Sequence, residues 1–470
     1  MSKKPAIGII GGGFCGTVTL MQLIRMSESP LEIVLINKDF PLARGIAYSS
    51  FNNRHVLNVP AGKMSIFPDD PDHFVNWIKS KKEYSAFVDD ELSDTFIPRV
   101  IYGNYLEEIF NREMQNIPPH ISVKIINDEA TDILPSESGQ DIILKSGDKI
   151  KTDKIVLATG NFLPDNPPLK DTTFYKSKKY FRNPWSKEAL EDLKDNENVL
   201  IIGTGLTMVD NVLSLFDYGF KGRIFSLSTN GYFPLSHKKR KPYTDILEEL
   251  HPPYEISKLY SIFRKHIKIV LSRGIAGEAV VDAIRPKTQE IWLSLSLKDK
   301  IRFMTHLRHL WGVARHRLPK NIYIKMQDLM SAGRLEILGG RIQEIREISD
   351  YVYVSYNEKI SQIKKELIVS RVINCTGPVT DITKIEIPLI ANLIKRGLIT
   401  PDEMNLGINA LPNGTIIQKD NSLSSNIFII GSLLKGILWE STAVPELRTQ
   451  TKSLAEELIR QLKLNEKVNA

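Results

Sequence analysis

A strand that runs straight into glycines occurs twice in this chain, and no other feature restricts its fold as much. Residues 6–13 (AIGIIGGG) read as a short buried strand meeting glycines. Residues 17–28 read as a helix, with Val18, Leu20, Met21, Leu23 and Ile24 on one side, and 31–36 (LEIVLI) as a second buried strand. Short continuous apolar runs of this kind suit parallel strands covered on both faces. Together they make one βαβ unit of about thirty residues. The pattern restarts at 199–205 (VLIIGTG), with a helix over 206–218 and a strand at 222–228. The fold class is therefore α/β, with two dinucleotide-binding, Rossmann-like domains.

The rest of the chain is arranged around these two units. A proline-containing, loop-rich stretch covers 41–71, helical patterns cover 72–82 and 103–115, and 121–145 alternates as a small antiparallel meander would. KIVLATG (154–160) is a further strand, and a proline-rich segment follows to about residue 170. Residues 240–330 are mostly helical and polar, strands return at 335–338, 351–356, 366–375 and 426–431, and a helix covers 443–462. A chain of 470 residues exceeds what one hydrophobic core serves. The expected division is a discontinuous first domain, 1–192 with 367–470, around a second domain, 193–366. A helical insertion, about 240–330, interrupts the second nucleotide fold and is the natural source of a substrate lid.

Composition narrows the function classes. Hydrophobic residues make up 42% and charged ones 25%, the profile of a globular protein. No apolar run reaches the ~18 residues of a membrane helix. The N-terminus begins MSKKPAIGIIGGGF, but glycines break its apolar patch and no small-residue cleavage site follows, so a signal peptide is rejected and the cytoplasm expected. The only cysteines are Cys15 and Cys375, which excludes a disulfide framework, a Cys-pair zinc site and a C-x-x-C redox pair; no metal is expected. The net charge is +7, with basic clusters at 79–82, 176–179 and 238–241. No nucleic-acid motif accompanies them, so they read as solvated surface, without a nucleic-acid or membrane partner.

The glycines carry the chemistry. Gly11, Gly13 and Gly16 form G-x-G-x-x-G between a strand and a helix, with Phe14 and Cys15 inside the loop. One glycine makes the tight turn, the next lets backbone N–H groups approach a pyrophosphate, and the last lets helix pack on strand. The helix N-terminus adds favourable positive potential. The acidic residue that grips a ribose belongs about 20 residues on. Counting 21 from Gly16 reaches Asn37, followed by Lys38, whereas Asp39 falls late and reads as a turn cap. Ala158, Thr159 and Gly160 close a strand where the chain can approach a bound dinucleotide, and INCTG (373–377) repeats that feature. The second loop is Gly203-Thr204-Gly205-x-x-Met208, in which Met replaces the third glycine; the substitution is tolerated if the helix stands slightly off the strand. Two such loops with two such strand ends point to a two-dinucleotide flavoprotein, with FAD in the first fold and NADPH or NADH in the second.

Six segments resemble the bacterial FAD-NAD(P)-binding oxidoreductases, relatives of flavin-containing monooxygenases and N-hydroxylases. They are GIAYSS (45–50), HVLNVPAGKMS (55–65), IPRVIYGNYL (97–106), GTGLTMVD (203–210), RHLWGVARHRLP (308–319) and LLKGILWESTAVPELRTQ (433–450). The resemblance implies that 55–65 runs beside the flavin, with Asn58 and Met64 as neighbours of the ring. It implies also that 431–442 lies against the flavin's pyrimidine side, which brings in Gly431, Glu440, Ser441 and Thr442. Leu433 and Trp439 read equally well as core packing. In 308–319, Arg308, His309, Arg315 and His316 share one helix; a solvated or internally paired basic helix is the first reading, and contact with an acidic substrate or a cofactor phosphate the second. Related sequences tend to carry S-R-R-G after the second domain's strand, suited to the 2′-phosphate of NADPH. Here Ser228-Thr229-Asn230-Gly231 stands instead, with Lys238, Lys239 and Arg240 as substitutes a few residues on, so either nicotinamide is expected to serve.

Hydride transfer to the flavin leaves the question of where the electrons go next. The missing dithiol removes disulfide reduction, and no iron–sulfur or haem motif offers a one-electron route. Oxygen and a small N- or S-nucleophile are then the expected partners of a monooxygenase. A flavin reductase or oxidase without oxygen insertion is the alternative, as is a non-catalytic flavin-fold binding protein. No acid–base residue stands out as catalytic, and homo-oligomerisation is left open.

Overall fold

The computed structural model describes residues 4–38, 40–49, 52–136, 139–238 and 242–469, apart from the side chains of 465–469. The chain divides into two compact units, Met1–Asn161 with Thr380–Ala470, and Phe162–Val379.

In the first unit the strand Ala6–Ile10 pairs in parallel with Leu31–Asn37 on one side and Lys154–Leu157 on the other. Ile121–Asn127 extends the sheet beyond Leu31–Asn37, and Leu423–Ile429 extends it beyond Lys154–Leu157, both in parallel. Thr415–Ile417 finishes that second edge antiparallel. The meander expected over 121–145 therefore divides. Its first strand belongs to the parallel sheet, and a separate antiparallel sheet comprises Ala130–Ser136, Gly139–Leu144 and Lys149–Thr152. Ile121–Asn127 alternates because it is the last strand of its sheet and keeps part of its surface wet.

Gly8 fits the small sheet to the large one. A Cβ there would lie 2.5 Å from Ile142 Cδ1 and 3.0 Å from Thr152 Cγ2. Ile7 and Ile9, on the opposite face, are buried in one core with the helix Phe14–Met26. That helix has no side-chain cap at its N-terminus and no acidic residue in its first turn. Forgoing the cap costs about 1 kcal/mol. Val18, Leu20, Met21 and Leu23 are wholly buried, and each contributes about 1.5–3 kcal/mol. Packing therefore holds the helix, and its first N–H groups are left for another partner.

The second unit repeats the plan. Asn198–Ile202 lies between Arg223–Ser228 and Arg371–Asn374, all parallel. Leu335–Ile348 pairs in parallel with Arg223–Ser228 and continues into the antiparallel strands Tyr351–Glu358 and Lys364–Val369. At the other edge Tyr180–Phe181 pairs with Arg371–Asn374. The pairing of Tyr180–Phe181 with Arg371–Asn374 sets the boundaries elsewhere than expected. Residues 162–192 and 367–379 belong with the second unit, because the strand ending in INCTG closes the second sheet rather than returning to the first. The helices Ile256–Ser272, Glu278–Ile284, Thr288–Ser294, Leu297–Arg302, Arg308–Arg315 and Lys320–Ser331 fall between Arg223–Ser228 and Leu335–Ile348, as an insertion within that fold. No described helix is long and apolar enough to cross a membrane.

One buried amide ties the second sheet to the segment before it. Asn374 is wholly buried and donates to the Asp165 carbonyl and the Tyr180 hydroxyl, both at 2.9 Å. Its Oδ1 accepts from the Thr376 N–H at 3.1 Å and the Thr376 hydroxyl at 2.7 Å. Asn374→Ala is expected to cost about 1–3 kcal/mol for each buried group it orphans. Calorimetry should show an earlier unfolding transition, and an unchanged transition would contradict this account.

Candidate functional site

Three segments far apart in sequence meet at the end of the strand Ala6–Ile10. Gly11 has φ +113°, and its N–H donates to the Ile36 carbonyl at 2.8 Å. A Cβ at Gly11 would lie 2.2 Å from the Ala158 carbonyl oxygen, and one at Gly16 only 1.9 Å from the Gly11 carbonyl oxygen. Both positions exclude any side chain. Gly13 is the N-cap of the helix, in extended conformation, and Thr17 Oγ1 donates back to its carbonyl at 2.8 Å. Phe14 is buried and Cys15 half-buried in the first turn.

Ala158 receives the loop, its own N–H donating to the Ile10 carbonyl at 2.9 Å. Thr159 is half-buried. Gly160 is exposed, has φ +71°, and faces open space where a Cβ would be. The third segment returns late in the chain. Gly431 has φ +93°, and a Cβ there would come within 3.2 Å of Cys15 Sγ. Ser432 Oγ donates to the Gly160 carbonyl at 2.8 Å, and Ser441 Oγ to the Gly431 carbonyl at 2.9 Å. Glu440 is buried with φ +66°, a conformation rare for residues other than glycine, and Thr442 beside it is exposed. Such backbone costs of order 1–3 kcal/mol and concentrates at ligand sites. Ser432 lies within the expected segment 431–442 but was not singled out there as a contact.

The other expected residues fall in several places. Asn37 Oδ1 accepts from the Gly12 N–H at 3.1 Å, and Asn37 Nδ2 donates to the Phe40 carbonyl at 2.7 Å. Lys38 is exposed and pairs with Glu129 at 2.8 Å. Asn58 is exposed, whereas Met64 is buried in the core cluster that holds Phe14 and Ala61. Leu433 and Trp439 are both buried. Asp39, Lys239, Arg240 and Lys241 lie outside the described residues. In the other basic clusters Lys81 pairs with Glu108 at 2.6 Å, and Lys179 with Glu347 at 2.7 Å. Burial raises the Cys15 thiol to about 12 and the Cys375 thiol well above its ordinary value. Neither is a thiolate at neutral pH, so neither is a ready nucleophile.

The second unit repeats the glycine turn of the first. Gly203 has φ +110°, its N–H donates to the Leu227 carbonyl at 2.8 Å, and a Cβ would meet the Cys375 carbonyl oxygen at 2.4 Å. Cys375 N–H donates to the Ile202 carbonyl at 2.8 Å, as Ala158 does to Ile10. Gly205 caps the helix Leu206–Asp217, which also lacks a side-chain cap and a first-turn acid. A Cβ at Gly205 would touch nothing within 4 Å. Met208, in place of a third glycine, is wholly buried, so this interface does accommodate a side chain. The hydroxyls of Thr204 and Ser228 lie 3.0 Å apart, and Ser228 Oγ accepts from the Gly231 N–H at 3.0 Å.

Each unit thus presents a closed glycine turn, an uncapped helix N-terminus and a glycine-lined approach, the requirements for holding a pyrophosphate. Residues 8–162 match a family model described as FAD-NAD(P)-binding. That stretch of the first unit is similar to an FAD-NAD(P)-binding domain. A 147-residue stretch is 30% identical to an L-aspartate N-monooxygenase (nitrosuccinate-forming) of Streptomyces cremeus, covering 30% of this chain and 22% of that protein. A 254-residue stretch is 24% identical to a nitrosuccinic acid synthase of Aspergillus oryzae, covering 50% of this chain and 39% of that protein. The matches therefore span well under half of either relative. Over its whole length the chain is similar in fold to the ornithine N-hydroxylase of Kutzneria sp. 744, with a TM-score of 0.67 at 13% identity. That likeness covers 98% of this chain and 100% of the other. The fold is one with two dinucleotide-binding units.

The two loops predict opposite responses to alanine. Gly11→Ala has neither the backbone freedom nor the space and should cost of order 1–3 kcal/mol, read as loss of flavin from the purified protein. Gly205→Ala has room and an ordinary φ of −90°. It should keep wild-type thermal stability and flavin content while raising the KM for the nicotinamide coenzyme about tenfold, or ~1.4 kcal/mol. Equal flavin loss in both variants would overturn this distinction.

Proposed function

We propose that the chain is an FAD- and NAD(P)H-dependent monooxygenase that oxidises a small amine nucleophile. The observation that carries this reading is the duplicated cradle, one copy in the first unit at Gly11 and Ala158 and one in the second at Gly203 and Cys375. A single dinucleotide would need only one. The partial matches to an L-aspartate N-monooxygenase and a nitrosuccinic acid synthase support nitrogen as the acceptor and make a small amino acid the first substrate to try.

The chain's own residues suit these tasks. In the first unit the uncapped N–H groups after Gly13, in Phe14, Cys15 and Gly16, would hold the FAD pyrophosphate. The exposed glycine end at 158–160 lets the dinucleotide lie close to backbone. Asn37 and Lys38 close the ribose end, Asn58 contributes from its loop, and 431–442 is braced against both the glycine loop and Gly160. Met64 is buried in the core behind that loop and would neighbour the ring from there. In the second unit Gly203, Thr204, Gly205 and Ser228 would hold NAD(P)H. Bound flavin supplies the redox chemistry, accepting two electrons from NAD(P)H and activating oxygen. One oxygen atom enters the amine as a hydroxylamine, and the other leaves as water. NAD(P)H, oxygen and a small amine are the partners required, and the cytoplasm is the compartment this chemistry fits.

The decisive experiment follows NAD(P)H consumption, oxygen uptake and product together in the purified holoenzyme. The expected result is a flavin absorbance bleached by NAD(P)H, and hydroxylamine formed in near-equal amount to coenzyme consumed with a small amino acid, L-aspartate first. Stoichiometric hydrogen peroxide with every amine offered would replace this reading with an oxidase. A flavin that neither coenzyme bleaches would remove catalysis altogether.

A further inference from the structure

In a Rossmann fold the ribose 2′ position lies at the end of the strand beside the loop-bearing one. In the second unit that place is Ser228, ending Arg223–Ser228 alongside Asn198–Ile202. The loop that follows contains no cation in Ser228-Thr229-Asn230-Gly231, yet a cation from elsewhere is built against it. Lys359 Nζ donates to Asn230 Oδ1 at 2.7 Å and lies 5.1 Å from the centroid of the Tyr232 ring.

This placement is fixed by backbone rather than by a wandering side chain. The Lys359 N–H donates to the Gly339 carbonyl at 2.8 Å. Gly339 pairs with Ser228 across the sheet, and its Cα is where a Cβ on Gly231 would fall, at 2.9 Å. The hairpin carrying Lys359 and the loop after Ser228 are therefore locked together through two glycines. Arg308 and His309 complete the cluster. Arg308 Nη2 lies 3.3 Å from His309 Nε2, and His309 is held below its ordinary value by burial and by the charges of Arg308 and Lys359. Among the described residues no carboxylate pairs with Arg308, His309 or Lys359. A lysine held beside a neutral hydroxyl and amide loop, with Arg308 next to His309 nearby, gives that end of the strand a positive potential suited to an anion.

We propose that Lys359, supported by Arg308, binds the 2′-phosphate of NADPH and makes the enzyme selective for NADPH over NADH. This inference rests on the reading of the second unit as the nicotinamide-binding one. It replaces the sequence-based expectation that either coenzyme serves. Here the cation that follows the strand in related sequences comes instead from the hairpin after Tyr351–Glu358 and from the inserted helices.

The test is calorimetric binding of two fragments to the FAD-loaded protein, 2′,5′-ADP and 5′-AMP, with wild type, Lys359→Ala and Lys359→Arg. Wild type should bind 2′,5′-ADP at least tenfold more tightly than 5′-AMP. Lys359→Ala should weaken 2′,5′-ADP about tenfold, the value of a charge-assisted contact, leave 5′-AMP unchanged and flatten the salt dependence. Lys359→Arg should restore most of the loss. Equal wild-type affinity for the two fragments, or an equal loss of both in Lys359→Ala, would overturn the proposal while leaving the function above intact. Binding of neither fragment, together with a flavin that no nicotinamide bleaches, would overturn both.

Discussion

The structure depends on one close approach, made twice, between a glycine backbone and the carbonyl that ends a neighbouring strand. At Gly11 and Gly203 the Cβ position is already filled by a carbonyl oxygen, of Ala158 in one case and Cys375 in the other. The contact is possible only at positive φ and without a side chain. It turns the chain sharply enough that the following helix points its N-terminus over the strand ends. Everything that a pyrophosphate would use follows from that turn, because free N–H groups and a positive helix end arise together from the same geometry.

The turn could not be held by the loop alone. In the first unit the helix Phe14–Met26 begins without a cap and is retained by its buried face. The segment at Gly431 then presses on Cys15 and reaches Gly160 through Ser432. A segment more than four hundred residues along the chain from the loop thereby belongs to the same site. This is why the N-terminal 162 residues resemble a domain without being a closed one, since their sheet is completed by Leu423–Ile429.

Local sequence made much of this legible, and the limits have physical causes. Strand, glycine loop and helix are encoded within about thirty residues, so both nucleotide folds could be read directly. The strand ends at 158–160 and 373–377 were readable because a glycine there has a backbone reason. Domain boundaries were not, because Tyr180–Phe181 is only a two-residue edge strand and joins a partner nearly two hundred residues away. Ile121–Asn127 was misplaced because an edge strand of a parallel sheet alternates as an antiparallel one does. Met64, expected beside the ring from its motif, is buried in the core cluster that also holds Phe14. Lys359 carried no local signal at all, since only the contact of Gly231 with Gly339 brings it to the loop.

The departures from the usual acidic ribose residue also find a reason in bonding. Asn37 both accepts from Gly12 and donates to the Phe40 carbonyl. A carboxylate could make the first bond but not the second, because it carries no donor when ionised. Ser228 also makes two bonds in the second unit, accepting from Gly231 and hydrogen-bonding the Thr204 hydroxyl. In both units the position that elsewhere reads a ribose is here also a clasp that shapes the loop around itself. A clasp must be short, neutral and able to donate, so it cannot also supply charge. Beyond the clasp, the hairpin that follows Leu335–Ile348 brings a charge, that of Lys359, to the loop from outside the strand and helix.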